Sequence, residues 1–171
     1  EIGHALGLKH PDDDGGNNRP TFLSIGILDR DSPRWTLMSN NQIPGSTWQT
    51  GSASTPMPMD ILAIQQIYGA NTSYHAGSDT YELTPDTANP YRTIWDAGGL
   101  DGLDVSGFSA SFQGASSQLQ FAQGLTIDIR PGVGFVEYSL AQWGFTAIAF
   151  GTVIRSEEHT SELQSLAYLV C

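Results

Sequence analysis

The first eleven residues carry side chains whose types and spacing suit metal chemistry. They read Glu1-Ile2-Gly3-His4-Ala5-Leu6-Gly7-Leu8-Lys9-His10-Pro11. On a helix, Glu1 and His4 lie about one turn apart on neighbouring faces. Gly7 ends the helix, because glycine adopts left-handed backbone angles without a Cβ clash, and His10 can then turn back toward His4. The run therefore predicts two imidazoles and a carboxylate at one site.

One further His before Glu1 would complete the spacing H-E-x-x-H-x-x-G-x-x-H. Three imidazoles would then hold a zinc ion with an open fourth position, and the Glu would serve as general base. We predict His4 and His10 as zinc ligands and Glu1 as that base. We expect the first ligand one residue upstream, in a longer parent chain. The alternative is a helix end with two surface histidines.

The segments expected to support this site follow along the chain. Residues 12–35 are loop-like, and their acidic start, Asp12-Asp13-Asp14, reads better as a solvated loop than as a cation site. Met38 lies 28 residues after His10. It either packs in the ordinary core or belongs to a tight turn beneath a metal site. Residues 41–56 predict an extended surface loop. Residues 58–69 predict a scaffold helix that carries no chemistry, with Asp60 at its positive end.

From residue 76 the apolar pattern changes from helical to alternating, which predicts a β-rich region. Within it, Asp96 and Asp101 flank the pair Gly98-Gly99. Two carboxylates and a backbone free to bend suit a calcium ion, and a polar hairpin turn is the equal alternative. No further glycine–aspartate repeats follow. The candidate strands are residues 80–83, 91–95, 103–108, 119–121, 125–129, 135–138 and 147–154.

Charge and composition limit the classes of binding partner that the sequence suggests. The formal net charge is -11 with only seven Lys and Arg, which argues against nucleic acid and anionic membranes. No apolar run approaches the ~20 residues of a membrane span. The single Cys is Cys171, so no internal disulfide is expected. We expect a monomer.

The end of the chain departs from the preceding pattern. Residues 155–165 resemble the conceptual translation of a sequencing-library adapter, and we predict that residues 155–171 are non-native. The alternative is a short helix capped by Ser156 or Thr160. On the adapter interpretation, His159 and Cys171 belong to no site.

Taken together, these motifs resemble the serralysin family of bacterial zinc metalloproteases, within the metzincins. Pro11 after the third motif His favours serralysins over matrixins and astacins. The resemblance spans residues 1–154. It rests on Glu1–Pro11, Leu37-Met38-Ser39, residues 60–71, Trp95-Asp96-Ala97-Gly98-Gly99 with Asp101, and residues 147–154.

The resemblance implies a secreted zinc metalloendopeptidase that hydrolyses peptide bonds of polypeptides by a zinc-activated water. Met38 would be the Met-turn residue. Its implied cofactors are Zn²⁺ and Ca²⁺, with calcium ligands at Gly77, Asp79, Asp96, Gly98, Gly99 and Asp101. The implied fold is α+β: residues 1–75 form the C-terminal part of a metzincin catalytic domain. Residues 76–154 begin a calcium-binding region that leads into a truncated β-roll.

One position departs from the family within the motifs. Asn40 stands where the family often has Tyr after the Met-Ser of the turn. It favours an alternative function, a calcium-binding β module with a degenerate protease part. We expect the 171-residue chain itself to have little or no protease activity, because two histidines cannot supply the three protein ligands of a catalytic zinc site.

Overall fold

The computed structural model describes residues 1–41, 52–84, 90–106, 125–138, 144–158 and 167–170. The described helices are α1 (Ile2–Ala5) and α2 (Pro58–Tyr68), with one 3₁₀ turn at Leu28–Arg30. The described strands are β1 (Ser52–Ala53), β2 (Thr80–Glu82), β3 (Pro90–Ile94), β4 (Asp101–Asp104), β5 (Leu125–Asp128), β6 (Phe135–Tyr138), β7 (Phe145–Ile148), β8 (Ile154–Glu158) and β9 (Ala167–Val170). Few helices and many short strands agree with the predicted α+β class.

The strands form two sheets. The larger has the order β1-β3-β7-β6-β5-β9, and the smaller has the order β2-β4-β8. Strands β5, β6 and β7 pair antiparallel, with Ile127 opposite Val136 and Phe135 opposite Ala147. The smaller sheet is parallel throughout, with Leu103 opposite Tyr81.

The main core lies between the two sheets. Its buried side chains come from both of them: Leu83, Ile94, Leu103, Val105, Ile127, Val136, Ile148 and Ile154. A second cluster joins Met57, just before α2, to Tyr91, Phe145 and Ala147 of the larger sheet. Apolar burial therefore connects the α2 region with the β-rich region.

Most strand predictions within the described residues are confirmed to within about two residues at their ends. The strand predicted at 147–154 is wrong, because it divides into the end of β7 and the start of β8, which lie in different sheets. Gly151 has φ +85, and the Thr152 amide donates to the Ala149 carbonyl. This turn carries the chain from one sheet to the other. The strand predicted at 103–108 instead runs over Asp101–Asp104.

Three other predicted segments differ from the structure or lie partly or wholly outside its described residues. The extended loop predicted at 41–56 contains a short strand, β1, that pairs with β3. The strand predicted at 119–121 lies outside the described residues. Ser156 lies within β8, so the alternative of a helix capped there is wrong. The non-native origin of residues 155–171 stays a prediction.

Helix α2 has the predicted bounds, but its burial differs from the prediction. It ends before Gly69, whose φ is +84. Its buried residues are Pro58 and Asp60, while Ile67 and Tyr68 at the other end are exposed. The buried residues of α2 are therefore confined to its first turn, so the helix is not a fully buried scaffold. Among the described residues, no helix has the length and apolar character needed to cross a membrane.

Arg34 connects the first part of the chain to the larger sheet. Its guanidinium donates to Glu137 of β6 and lies 4.8 Å from the ring centroid of Phe145. Both side chains of this ion pair are mostly shielded from solvent. A charge pair packed against an aromatic ring fixes the segment before Met38 relative to β6 and β7.

Candidate functional site

The two histidines of the first motif lie side by side. Helix α1 ends at Ala5, and Gly7 then takes φ +91. The Leu8 amide donates to the Gly3 carbonyl, which closes the turn. As a result the His4 and His10 ring centroids are 4.8 Å apart, with the rings at 77°. The predicted return of His10 toward His4 is seen in the structure.

One nitrogen of each imidazole is held by a backbone carbonyl. His4 Nδ1 lies 3.0 Å from the Leu8 oxygen, and His10 Nδ1 lies 2.6 Å from the Met38 oxygen. A carbonyl only accepts, so each Nδ1 carries the proton and donates. In the neutral ring each Nε2 then keeps its lone pair, and this tautomer is the one found in metal-ligating imidazoles that a backbone partner orients. The donor set therefore fits a divalent metal ion such as zinc.

Met38 lies against α1 beneath the two histidines. Its side chain is buried, and a Cβ added to Gly3 would come within 2.5 Å of its Sδ atom. The absence of a side chain at Gly3 therefore lets the helix sit directly on the methionine. Met38 therefore packs against the helix that carries His4, and its role as the Met-turn residue stays a prediction.

Glu1 and Asn40 stand at the edges of this site. Glu1 is exposed and directly precedes α1, where its carbonyl accepts the Ala5 amide. The Asn40 amide nitrogen lies 3.4 Å from His10 Nδ1. Since His10 Nδ1 donates to the Met38 carbonyl, it cannot also accept from the Asn40 amide, so Asn40 does not orient the ring.

Asp60 holds the Met38 segment, and sequence reasoning missed this role. Its buried carboxylate accepts the Thr36 hydroxyl at 2.6 Å, the Leu37 amide at 2.7 Å and the Met57 amide at 2.9 Å. The Met38 amide donates to the Thr36 hydroxyl oxygen at 3.0 Å. An acid three residues into a helix is a capping signal, which identifies the Met57 contact but not the other two.

The acidic loop near the motif forms turns. The Asp13 and Asp14 carboxylates accept the backbone amides of Gly15 and Gly16, and all four residues are exposed. These are local turn contacts, as expected for a solvated loop.

The predicted calcium ligands come together where two loops meet. One loop precedes β2 and contains Gly77 and Asp79, and the other connects β3 to β4. The Asp79 amide donates to Asp101 Oδ1 at 3.0 Å, and the Gly102 amide donates to the Asp79 carbonyl at 2.9 Å. The Gly98 amide donates to Asp96 Oδ1 at 2.8 Å. The equal alternative, a polar hairpin turn, does not account for contacts between these separate loops.

Gly99 lets the two loops approach closely. Its φ is +139, and an added Cβ would lie 1.8 Å from the Gly77 carbonyl oxygen and 2.9 Å from Asp101 Oδ1. The second carboxylate oxygen of Asp101, Oδ2, is buried without a hydrogen-bond partner. A buried carboxylate oxygen without a donor, beside a backbone carbonyl, is a ligand set that fits a hard cation such as calcium.

Tyr81 orients one of the carboxylates. Its hydroxyl donates to Asp96 Oδ2 at 2.6 Å, and the Asp96 amide donates to the Thr152 hydroxyl oxygen at 2.9 Å. Burial raises the pKa of Tyr81 well above its usual range, and the hydrogen bond to Asp96 and the nearby carboxylate charges raise it further. Tyr81 is therefore a fixed donor at this cluster.

His75 is a member of this cluster that sequence reasoning missed. One His75 ring nitrogen and one oxygen from each of Asp79 and Asp96 lie within 4.8 Å of one another. His75 Nδ1 lies 3.2 Å from Asp79 Oδ2. The only sequence signal was the spacing of four residues between His75 and Asp79.

Comparison with known proteins finds relatives of this chain among curated proteins. No family model matches the chain. Serralysin from Proteus mirabilis is 38% identical over 122 residues, covering 63% of this chain and 25% of that relative. Serralysin C from Dickeya chrysanthemi is 31% identical over 154 residues, covering 75% of this chain and 32% of that relative. Metallopeptidase AprA from Pseudomonas marginalis is 34% identical over 158 residues, covering 75% of this chain and 33% of that relative.

These relatives place the chain among the metalloproteases. Within that class it is serralysin-like, as the motifs of the sequence predicted. The chain spans 25% to 33% of the length of these curated relatives.

Proposed function

We propose that the parent protein of this chain is a secreted, zinc-dependent and calcium-stabilised metalloendopeptidase. The observation that carries the proposal is the histidine pair, in which backbone carbonyls hold both Nδ1 atoms and leave both Nε2 atoms for a metal. Its position against Met38, in a serralysin-like sequence, supports the metzincin type of zinc site.

Each residue has a definite part in this proposal. His4 and His10 would hold the zinc, with a third His that the motif expects directly before Glu1. When bound, zinc supplies electrostatic activation of the attacking water and of the scissile carbonyl. The Glu1 carboxylate takes a proton from that water and returns it to the leaving amine. The Leu8 and Met38 carbonyls keep the two imidazoles in their ligating orientation.

Activity tests the general base directly. In the parent protein, Glu1→Gln is expected to lower kcat/KM for a fluorogenic peptide by about 10²–10⁴-fold, because the amide cannot accept the proton. Zinc content, measured by atomic absorption, should not change. The control is Glu82→Gln at an exposed position of β2, which should retain full activity. A Glu1→Gln variant with normal turnover would contradict the assignment.

The alternative function, a calcium-binding β module with a degenerate protease part, is favoured by Asn40. The parent protein separates the two proposals. Chelator-sensitive peptide cleavage supports the endopeptidase, whereas calcium binding without any cleavage supports the module. For the 171-residue chain itself we expect no measurable cleavage, since it supplies His4 and His10 alone from the zinc motif.

Calcium is expected to stabilise the chain through Gly77, Asp79, Asp96, Gly98, Gly99 and Asp101. Millimolar calcium should raise the Tm of the 171-residue chain, because the ion binds only the folded loops. Asp101→Asn should remove most of that shift, since it replaces the buried, unpartnered oxygen. Asp13→Asn, in the exposed loop, is the control and should keep the shift. An equal shift in Asp101→Asn would contradict the proposed ligand.

The remaining parts of the proposal concern partners and location. The substrates are polypeptides, and the protein acts as an extracellular bacterial monomer. The net charge of -11 supports the proposal that neither nucleic acid nor an anionic membrane is a partner. These proposals rest on the serralysin resemblance, and size-exclusion chromatography of the parent protein tests the monomer.

A further inference from the structure

The loop cluster that holds the proposed calcium ligands contains a nitrogen donor. His75 immediately precedes Ala76-Gly77, and its φ of +47 is a left-handed conformation that a non-glycine residue rarely adopts. Held this way, the imidazole stacks edge-on against Tyr74, with ring centroids 4.3 Å apart, and lies 6.0 Å from Tyr81. The chain therefore places the ring beside the carboxylates.

From this geometry we propose that His75, Asp79 and Asp96 form a binding site for a first-row transition-metal ion such as Zn²⁺, Mn²⁺ or Co²⁺. Their ligand atoms lie within 4.8 Å of one another. Ligand atoms bonded to one such ion at ~2.1 Å are separated by roughly 3–4 Å, so a closure of about 1 Å suffices. The His75 side chain is 38% exposed, so this closure does not require a buried side chain to move.

The chemistry of the donor set decides the kind of metal. Calcium takes oxygen ligands, usually six to eight of them, and gains little from an imidazole. An imidazole with two carboxylates is a nitrogen and oxygen set that suits zinc, manganese, iron or cobalt. His75 therefore gives this loop pair a selectivity that the glycine carbonyls and Asp101 do not provide.

The surroundings of the cluster support metal binding independently. The Tyr81 hydroxyl and the Gly98 amide each donate to one oxygen of the Asp96 carboxylate, which fixes its orientation. Each oxygen still has a second lone pair for a metal. Asp101 Oδ2, at the same loop pair, is buried without a partner. Outer contacts of this kind position ligands before the ion arrives.

The two ions use overlapping but different residues. Asp79 and Asp96 are shared, His75 serves the transition metal, and Asp101 serves calcium. The calcium part of this division rests on the proposed function, whereas the transition-metal part rests on the geometry of His75, Asp79 and Asp96. Calcium and a transition metal should therefore compete. For each ion there should also be one substitution that weakens its binding and leaves binding of the other ion intact.

Cobalt is the probe, because its visible absorption reports nitrogen and oxygen ligation. The background chain carries His4→Ala, His10→Ala, His159→Ala and Cys171→Ser. Since the sequence has four His and one Cys, His75 is then the only imidazole and no thiol remains. We expect this chain to bind one equivalent of Co²⁺. In the same background, His75→Gln should weaken Co²⁺ binding at least tenfold while retaining the calcium-induced rise in Tm.

Asp101→Asn is the reciprocal variant. It should lose the calcium shift and keep Co²⁺ affinity within about threefold, since Asp101 is not among the three cobalt ligands. Circular dichroism without metal checks that each variant is folded. If Asp101→Asn does not fold, His75→Gln decides alone. Unchanged Co²⁺ affinity in His75→Gln, or loss of both ions in it, would overturn the proposal, and neither result depends on proteolytic activity.

Discussion

Replacing Asp60 by Ala is expected to lower the free energy of unfolding by about 3 kcal/mol or more. The buried carboxylate accepts hydrogen bonds from Thr36, Leu37 and Met57. Removing it leaves these donors without an acceptor, and each unsatisfied buried polar group costs roughly 1–3 kcal/mol. The measurement is urea unfolding of the 171-residue chain, followed by circular dichroism.

The same substitution should also weaken zinc binding by His4 and His10. Without Asp60, Thr36 and Met38 lose their fixed position, and the Met38 carbonyl no longer holds His10 Nδ1. Asp29→Ala is the matched control, since Asp29 is exposed and contacts only its neighbour Arg30 through its side chain in the described part of the chain. A loss of stability no greater than in Asp29→Ala would show that the three contacts do not hold the turn.

Gly99→Ala is expected to remove calcium binding and to destabilise the β-rich region by several kcal/mol. The added Cβ would lie 1.8 Å from the Gly77 carbonyl oxygen, so one of the two loops must move. The φ of +139 adds backbone strain of about 1–3 kcal/mol for any residue with a Cβ. The measurements are the Tm without calcium and the shift on adding it.

Gly77→Ala is the control for this prediction. An added Cβ at Gly77 meets nothing within 4 Å, and the residue keeps its carbonyl oxygen. We therefore expect a small change in Tm and a normal calcium shift. Equal behaviour of the two alanine variants would mean that the close approach of the loops is not needed for binding.

Local signals in the sequence predicted the helices and the histidine pair well. Gly7 and Gly69 both have positive φ and end their helices where expected. The spacing of His4, Gly7 and His10 was enough to predict the return of the chain, because one turn of helix and one glycine determine it. Met38 was predicted by its place in the chain, and the structure puts it against α1.

Contacts between distant residues could not be predicted in the same way. Asp60 binds Thr36 from 24 residues away, and no pattern in the sequence pairs them. The apolar run at 147–154 looked like one strand, since both of its ends are buried, although the turn at Gly151 sends them to different sheets. His75 escaped notice because its position depends on an unusual backbone angle rather than on spacing.

The contact between Arg34 and Glu137 has a practical consequence for producing parts of this protein separately. It joins residues 103 apart in sequence, on opposite sides of the predicted boundary at 75/76. Expression of residues 76–154 alone would leave the Glu137 carboxylate without its cation and uncover the ring of Phe145. This truncation would also delete His75 from its cluster with Asp79 and Asp96. A shorter version that keeps residues 34–158 together preserves both sets of contacts and the pairing of β8 with β4.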